Sequence, residues 1–268
     1  MRRSGRAGVP AWIAAPAIVA VGFLALPLLA LLGRTDWSTF WSDIASEASV
    51  QALWLSVWTG LLATALCGAI GIPLAVLISR ARPWLAGLLR ALTIIPLILP
   101  PMVGGVALLY LLGRNGWLGQ ALGAVGVQLP FTSAAVVIAQ VFVAFPFLVI
   151  AVEGALRELD PALPEVAADL GATPSQTLLR VTLPLAAPGI VAGLTLCFAR
   201  AVGEFGATAL FAGNRQGVTR TMPLAIYTAF NGSGVERGAA IALSVLLLVV
   251  AVAVLVAARA WRPGSTGR

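Results

Sequence analysis

Six long stretches without a charged residue limit what this chain can fold into. They cover 7–33, 48–79, 91–113, 115–152, 181–199 and 238–258, and a helix of roughly 20 apolar residues can cross a bilayer. The mean hydropathy is +0.98 with only 10% charged residues, against roughly 25% in soluble domains, which excludes a water-soluble enzyme. The pattern predicts an all-α membrane protein with six spans, at about 11–33, 52–79, 91–112, 132–152, 186–211 and 238–258.

The arginines predict the orientation of those spans. Six spans place both termini on one side, which then holds eleven of the 17 basic residues (all Arg), against five on the other side and Arg200 within the membrane. Because basic residues are enriched in cytoplasmic loops, we expect cytoplasmic termini, a cytoplasmic loop over 153–184 and a location in the inner (cytoplasmic) membrane. The first apolar run exceeds the roughly 7–15 residues of a cleaved signal peptide, so its retention is expected.

Missing residue types exclude several kinds of chemistry. Without Lys there is no phosphate-binding P-loop, and without His there is neither a Ser–His pair nor a histidine zinc site. All four Asp residues fall in predicted loops, so an intramembrane aspartyl enzyme is disfavoured. Cys67 and Cys197 lie singly in apolar runs and are expected to be buried thiols. We therefore expect no catalytic residue, metal or cofactor in this chain, and its scattered arginines form no face for nucleic acid.

The 153–184 loop has a pattern typical of two short helices. Pro164 and the acidic Glu165 suit a helix start, and Gly171 suits its left-handed end. Thr173-Pro174 then opens a second helix, which Pro184 is expected to stop. Exposed apolar side chains on the second helix predict a docking surface for a partner protein: Leu178, Leu179, Val181 and Leu183.

This loop resembles the EAA signature of ABC importer permeases, in which E-A-A is followed by G and then by I-x-L-P. Gly171 lies six residues after Glu165 and Val181 ten after Gly171, as in the signature, whereas Val166 and Ala168 depart from it. The resemblance implies that the loop docks into a separate ATP-hydrolysing subunit, which binds ATP and Mg²⁺. The positions concerned are Glu165, Ala167, Ala168, Gly171, Val181, Leu183 and Pro184.

A further resemblance, to the molybdate branch of these permeases, covers roughly residues 50–255. It rests on FARAVGEFGAT at 198–208, FAGN at 211–214 and TRTMPLAIYT at 219–228. Sulfate and thiosulfate permeases share the A-R-x-x-G-E-[FY]-G core and are the alternative. The resemblance implies a type I ABC importer permease that forms a homodimer with its pore at the interface. Its partners would be a cytoplasmic ABC ATPase dimer and an external protein that binds molybdate, or tungstate.

Candidate residues of the translocation path lie in the third and fifth predicted spans. Arg200 and Glu204 are four residues apart and can pair. Because charges at membrane depth face protein or water, the pair either lines the path of an oxyanion or joins the fifth span to a neighbour. The third span is expected to bend as a gate at its prolines and glycines: Pro100, Pro101, Gly104 and Gly105.

Two arginines of the predicted outer segment 212–237, Arg215 and Arg220, are candidates for contact with the external binding protein. Positive charge there would attract an anion or an acidic protein surface; the alternative is a pair of solvated loop charges. A passive channel is disfavoured, because it would not need a loop that couples to an ATPase.

Overall fold

The computed structural model describes residues 10–231 and 237–260, and every regular element within those two ranges is a helix. The prediction of an all-α chain is therefore confirmed. In chain order the elements are α1 (Ala11–Gly33), α2 (Phe40–Ala45), α3 (Glu47–Arg80), α4 (Pro83–Ile98), α5 (Pro101–Leu112), α6 (Trp117–Ala124), α7 (Ser133–Arg157), α8 (Ala162–Asp169), α9 (Pro174–Thr177), a π-helical turn (Leu178–Thr182), α10 (Leu183–Val202), α11 (Gly206–Phe211), α12 (Met222–Phe230) and α13 (Arg237–Ala260).

Several of these helices have the length and hydropathy of membrane spans. Within the described residues, four are long and apolar enough to cross a bilayer: α1, α3, α7 and the 29-residue run Pro174–Val202. The α4–α5 pair adds a fifth if it is one bent span, and α13 has a shorter apolar stretch, Gly238–Val254. The chain is thus a multi-pass membrane protein, while the count of six spans and the side of the termini remain predictions.

Helix α7 lies at the centre of the packing. It contacts both α3 and α10, which also contact each other, and the three helices share the largest apolar core. Small residues let α7 and α10 approach closely, because Ala151 and Ala155 face Gly193 and Gly189. Residues spaced four apart lie on one helix face, which is the usual way that membrane helices pack without a hydrophobic driving force.

The expected burial of both cysteines is confirmed. Cys67 of α3 and Cys197 of α10 are fully buried in this core and are free thiols. Three further clusters lie among the described residues, the smallest of them between α2 and α13 around Phe40. Of the larger two, one joins α5, α7 and α11 around Phe211, and the other joins α3, α12 and α13 around Met222.

Two predicted spans differ from single straight helices. The third consists of α4 and α5, whose axes differ by 111° across a break at Leu99 and Pro100. Leu99 is extended, the conformation that a following proline favours, and Pro101 starts α5 in the first turn, where no amide hydrogen is needed. The fifth span ends at Val202 instead of residue 211, because Gly203–Phe205 interrupt the helix before α11.

Candidate functional site

The two helix breaks lie against each other. The backbone of α11 approaches α5 so closely that a Cβ on Gly206 would lie 2.9 Å from Pro101 Cβ. In the same way, a Cβ on Gly105 would lie 2.9 Å from the carbonyl oxygen of Ala207. Side chains are excluded from both positions, so the start of α5 and the short helix α11 pack backbone to backbone.

Glu204 fixes the break after α10. Its Oε2 atom lies 2.7 Å from Arg200 Nη2, and its Oε1 accepts a hydrogen bond of 2.7 Å from the amide of Ala207. The predicted pairing with Arg200 is therefore present, although Glu204 lies just beyond the end of the helix. The second bond, which satisfies an amide at the start of α11, was missed; the signal for it is a carboxylate between Gly203 and Gly206.

Exposure differs across this ion pair. The Glu204 side chain is 1% exposed and that of Arg200 is 25% exposed. The buried carboxylate accepts hydrogen bonds from two groups and so acts as a structural clamp. The guanidinium of Arg200, in contrast, reaches the surface of this chain. Glu204 joins α10 to α11, which both fall within the predicted fifth span, so the choice between a path-lining pair and a link to a neighbour stays open.

The glycines of the third predicted span do not form its bend. Gly104 and Gly105 lie inside α5 and are buried, and the change of direction is at Leu99 and Pro100. A Cβ on Gly104 would lie 2.9 Å from the ring of Phe142 on α7. In this structure the two glycines allow close packing of α5 against α7 and α11, and the expectation that the span bends as a gate at its prolines and glycines stays a prediction.

The loop with the importer-like signature is largely helical. Helix α8 begins at Ala162, two residues before the expected start at Pro164, and Gly171 has the predicted left-handed conformation with φ +87°. Thr173 and Gln176 form a capping box that starts α9, and Thr173-Pro174 opens this helix as expected.

Pro184 does not stop the second helix. The chain stays helical from Pro174 through the π-helical turn to Val202, with Pro184 in the first turn of α10. A π-helical turn shifts the hydrogen-bond pattern by one residue, and this shift accommodates a proline that cannot donate. The residues Val181, Leu183 and Pro184 therefore belong to one continuous helical run.

Apolar side chains cover the outside of this loop. Val166 is 54% exposed, Leu170 83% and Leu179 64%. Glu165 and Ala168 are exposed beside them, and Ala167 is half-buried. Exposed apolar patches of this kind mark interaction surfaces, so the loop has the composition of a docking surface.

Of the four apolar side chains expected to be exposed on the second helix, only Leu179 is; Leu178, Val181 and Leu183 are half-buried. We call the exposed set (Leu163, Val166, Leu170 and Leu179) the loop patch.

Glu153 differs from its expected place in a loop. Helix α7 continues to Arg157, and Glu153 is buried within it at 7% exposure. Its Oε1 accepts from Arg90 Nε at 2.6 Å and lies 3.0 Å from Arg157 Nη2. The spacing of four between Glu153 and Arg157 signals this pair, but no sequence pattern points to Arg90.

The two outer arginines have different surroundings. Arg220 donates from Nε to Asn214 Oδ1 at 2.9 Å, and the amide of Asn214 donates to Thr228 of α12 at 2.8 Å. Arg220 thus holds a loop against α12, a helix that the sequence analysis did not predict. Arg215 is exposed, and among the described residues it has no ion-pair partner.

Comparisons with known proteins agree with this architecture. Residues 68–263 match the family described as "Binding-protein-dependent transport system inner membrane component". The molybdenum transport system permease protein ModB of Mycobacterium tuberculosis is 49% identical over 96% of this chain and 97% of its own length. A probable sulfate transport system permease protein, cysT of Chlorokybus atmophyticus, is 33% identical over 76% of this chain and 72% of its own length.

A solved structure also shares the fold. The chain aligns with a bacterial alginate ABC transporter, crystallised with a periplasmic protein that carries an alginate pentasaccharide, at a TM-score of 0.72. The match covers 96% of this chain and 95% of that one at 20% identity. At this identity the likeness concerns the fold alone, and it confirms the expected importer permease architecture.

Proposed function

Because this chain belongs to the inner membrane components of binding-protein-dependent transport systems, we propose that it forms the translocation path of an ATP-driven molybdate importer. The observation that carries the choice of solute is the 49% identity to a molybdenum transport permease across nearly the full length of both chains. The alternative, sulfate or thiosulfate, has the lower identity of 33% over a smaller share of the chain. Tungstate, which resembles molybdate in shape and charge, is expected to use the same path.

The chain is the membrane component of such a system, and we propose that the energy comes from a separate ATPase dimer that binds the loop patch. Three observations support this contact: the apolar side chains are exposed, the loop is helical, and both of its ends continue into the long helices α7 and α10. ATP and Mg²⁺ would be bound by that subunit. A movement of the loop would then displace two spans directly.

We propose that two copies of the chain assemble around the path, with the binding protein docking from outside. Helix α1 supports an arrangement in which another surface covers it, because none of its apolar window is buried against the described chain. That surface is lipid or a second copy. Arg215, exposed in the outer segment, is the stronger of the two candidates for contact with the binding protein, since Arg220 is engaged with Asn214.

The first test is uptake of labelled molybdate by cells with and without this gene, in molybdate-poor medium with sulfate in large excess. We expect deletion to abolish uptake, the plasmid-borne gene to restore it, and sulfate to compete weakly. Unchanged molybdate uptake together with lost sulfate uptake would assign the chain to sulfate instead, and the proposed contact with the ATPase would be unaffected.

The contact with the ATPase has its own test. Leu170→Glu places a charge on a side chain that is 83% exposed, so the fold should be unaffected while co-purification of the ATPase and molybdate uptake are lost. Leu118→Glu is the matched control, because Leu118 is also exposed (51%) but lies in α6, away from the loop. Retention of the ATPase by Leu170→Glu would contradict the proposed contact.

A further inference from the structure

An ion cluster with unequal charges lies where α4 crosses α7. Two guanidinium groups, those of Arg90 and Arg157, share the single carboxylate of Glu153. The cluster therefore carries one formal positive charge in excess. The Glu153 side chain is 9% exposed, whereas Arg90 and Arg157 are 33% and 55% exposed, so the excess charge faces outward.

An apolar cavity opens beside this cluster. It has a volume of about 280 Å³ and lies between α3, α4 and α7. Its walls are mostly aliphatic, with Ile78, Ile94, Val149 and Ile150 among the lining residues, and the two arginines contribute to the same lining. The hydroxyl of Thr93, also in the lining, donates to the carbonyl of Leu89 and adds no free donor. The site thus combines an aliphatic slot with a cationic edge.

We propose that this cavity binds one anionic glycerophospholipid. Its phosphate contacts the guanidinium groups of Arg90 and Arg157, and part of an acyl chain occupies the aliphatic slot. Basic pockets between membrane helices on the cytoplasmic side are suited to such headgroups, and the excess positive charge distinguishes an anionic lipid from a zwitterionic one. The inference rests on the proposed function in one respect, the placement of the cavity on the cytoplasmic side. The arginines lie at the end of α7 that leads into the loop patch, and the proposed function places that patch in the cytoplasm.

A free oxyanion suits this cavity less well. Selective binding of a small dianion requires hydrogen-bond donors on all sides of it, whereas here the donors lie only on the arginine edge and the other walls are mostly aliphatic. A lipid uses both parts of the site, because its charged headgroup matches the cationic edge and its apolar acyl chain matches the aliphatic slot. The arginine that contacts the phosphate from α7, Arg157, also stands at the start of the segment that leads to the loop patch. Lipid binding would thus stabilise the junction between α4 and α7 that lies nearest the ATPase.

The test is native mass spectrometry of the full-length chain, co-purified with its ATPase, while phosphatidylglycerol or phosphatidylcholine with identical acyl chains is added. We expect phosphatidylglycerol to bind at least tenfold more tightly. Arg157→Gln should weaken its binding about fivefold, which is the effect of one basic residue near a charged membrane surface. Arg82→Gln is the matched control: Arg82 is exposed at the start of α4 and does not line the cavity, so its loss should have no effect.

Glu153→Gln separates a lipid site from a merely structural ion cluster. Removing the carboxylate frees both guanidinium groups, so phosphatidylglycerol should bind more tightly even if the thermal stability of the protein falls. Gly154→Leu, which fills the opening of the cavity, should weaken phosphatidylglycerol and phosphatidylcholine alike while leaving the charges unchanged. A structural cluster predicts weaker binding for Glu153→Gln and no effect for Gly154→Leu.

Three results would overturn the inference. The first is equal binding of the two lipids, and the second is displacement of phosphatidylglycerol by millimolar molybdate or phosphate. The third is lipid binding to the separated chain but not to the assembled complex, which would mean that a second copy covers the cavity. Molybdate uptake by the same complex in vesicles keeps the two proposals apart. Intact uptake without lipid selectivity refutes only the lipid site, and selective lipid binding without molybdate uptake refutes only the assigned solute.

Discussion

The clamp formed by Glu204 makes a quantitative prediction. Glu204→Ala removes two charge-assisted hydrogen bonds, one to Arg200 and one to the amide of Ala207, each of 2.7 Å. Bonds to charged groups contribute roughly 1.5–3 kcal/mol each. The Arg200 guanidinium is 25% exposed and recovers part of its hydration, so we expect the lower end, a loss of about 3 kcal/mol in the free energy of unfolding.

A conservative variant divides this loss. Glu204→Gln keeps an oxygen that accepts from Ala207 and removes the charge that Arg200 pairs with. It should therefore cost about half as much, roughly 1.5 kcal/mol. For a chain of this size, each kcal/mol corresponds to roughly 2–4 °C in Tm, so the two variants should differ from each other by about 3–6 °C.

The cysteines provide the assay. Cys67 and Cys197 are the only thiols of the chain and both are fully buried, so a thiol-reactive fluorescent dye reports unfolding of the detergent-purified protein. Glu158→Ala, at an exposed carboxylate after the end of α7, is the control and should leave Tm unchanged. If Glu204→Ala shifted Tm no more than this control, Glu204 would not act as a clamp. A double-mutant cycle with Arg200→Met should give a coupling energy above about 0.5 kcal/mol, and simple additivity would also refute the pairing.

Two further substitutions test the packing around the breaks. Gly105→Ala should destabilise the protein by about 1–3 kcal/mol, as overpacking does, because its Cβ would lie 2.9 Å from a backbone oxygen of α11. The control is Gly87→Ala, which should be neutral or stabilising because no atom lies within 4 Å of its Cβ. Equal Tm values for the two variants would contradict the close approach of α5 and α11. Gln140 of α7 is fully buried, and neither its side-chain nitrogen nor its side-chain oxygen has a hydrogen-bond partner among the described residues. Because a buried unsatisfied polar group costs about 1–3 kcal/mol, Gln140→Leu should raise Tm. A lower Tm for Gln140→Leu would mean that the amide has a partner outside the described chain.

The loop with the importer-like signature shows what a local pattern can predict. Gly171 takes the left-handed conformation and Thr173-Pro174 opens a helix, because caps depend on residues within one turn. Pro184 was expected to end a helix by the same kind of rule. That prediction failed, because the π-helical turn at Leu178–Thr182 absorbs the missing donor, and sequence spacing does not reveal such a turn.

The breaks show where sequence reasoning ends. Charge spacing is enough to predict that Arg200 and Glu204 pair, and a double proline is enough to predict an interruption in the third span. Neither signal places Gly105 against Ala207 or Arg90 against Glu153. These contacts join segments about 60 to 100 residues apart in the sequence and depend on how the helices cross. For Gly104 and Gly105 the sequence does not distinguish flexibility from close packing, since both require the same residue.

The continuity of the second helical run links the loop to the breaks. From Pro174 to Val202 the chain has 29 helical residues, about 44 Å at 1.5 Å per residue, and the loop patch lies near one end while the Glu204 clamp lies at the other. Because Pro184 does not end the helix, one continuous helical run joins the two, with the π-helical turn and Pro188 inside it. A displacement of the loop would therefore reach Glu204 and pass through the contact between Gly206 and Pro101 to the start of α5. We therefore propose that a gate would move where α4 meets α5, while the glycines of α5 keep the moving helices in contact.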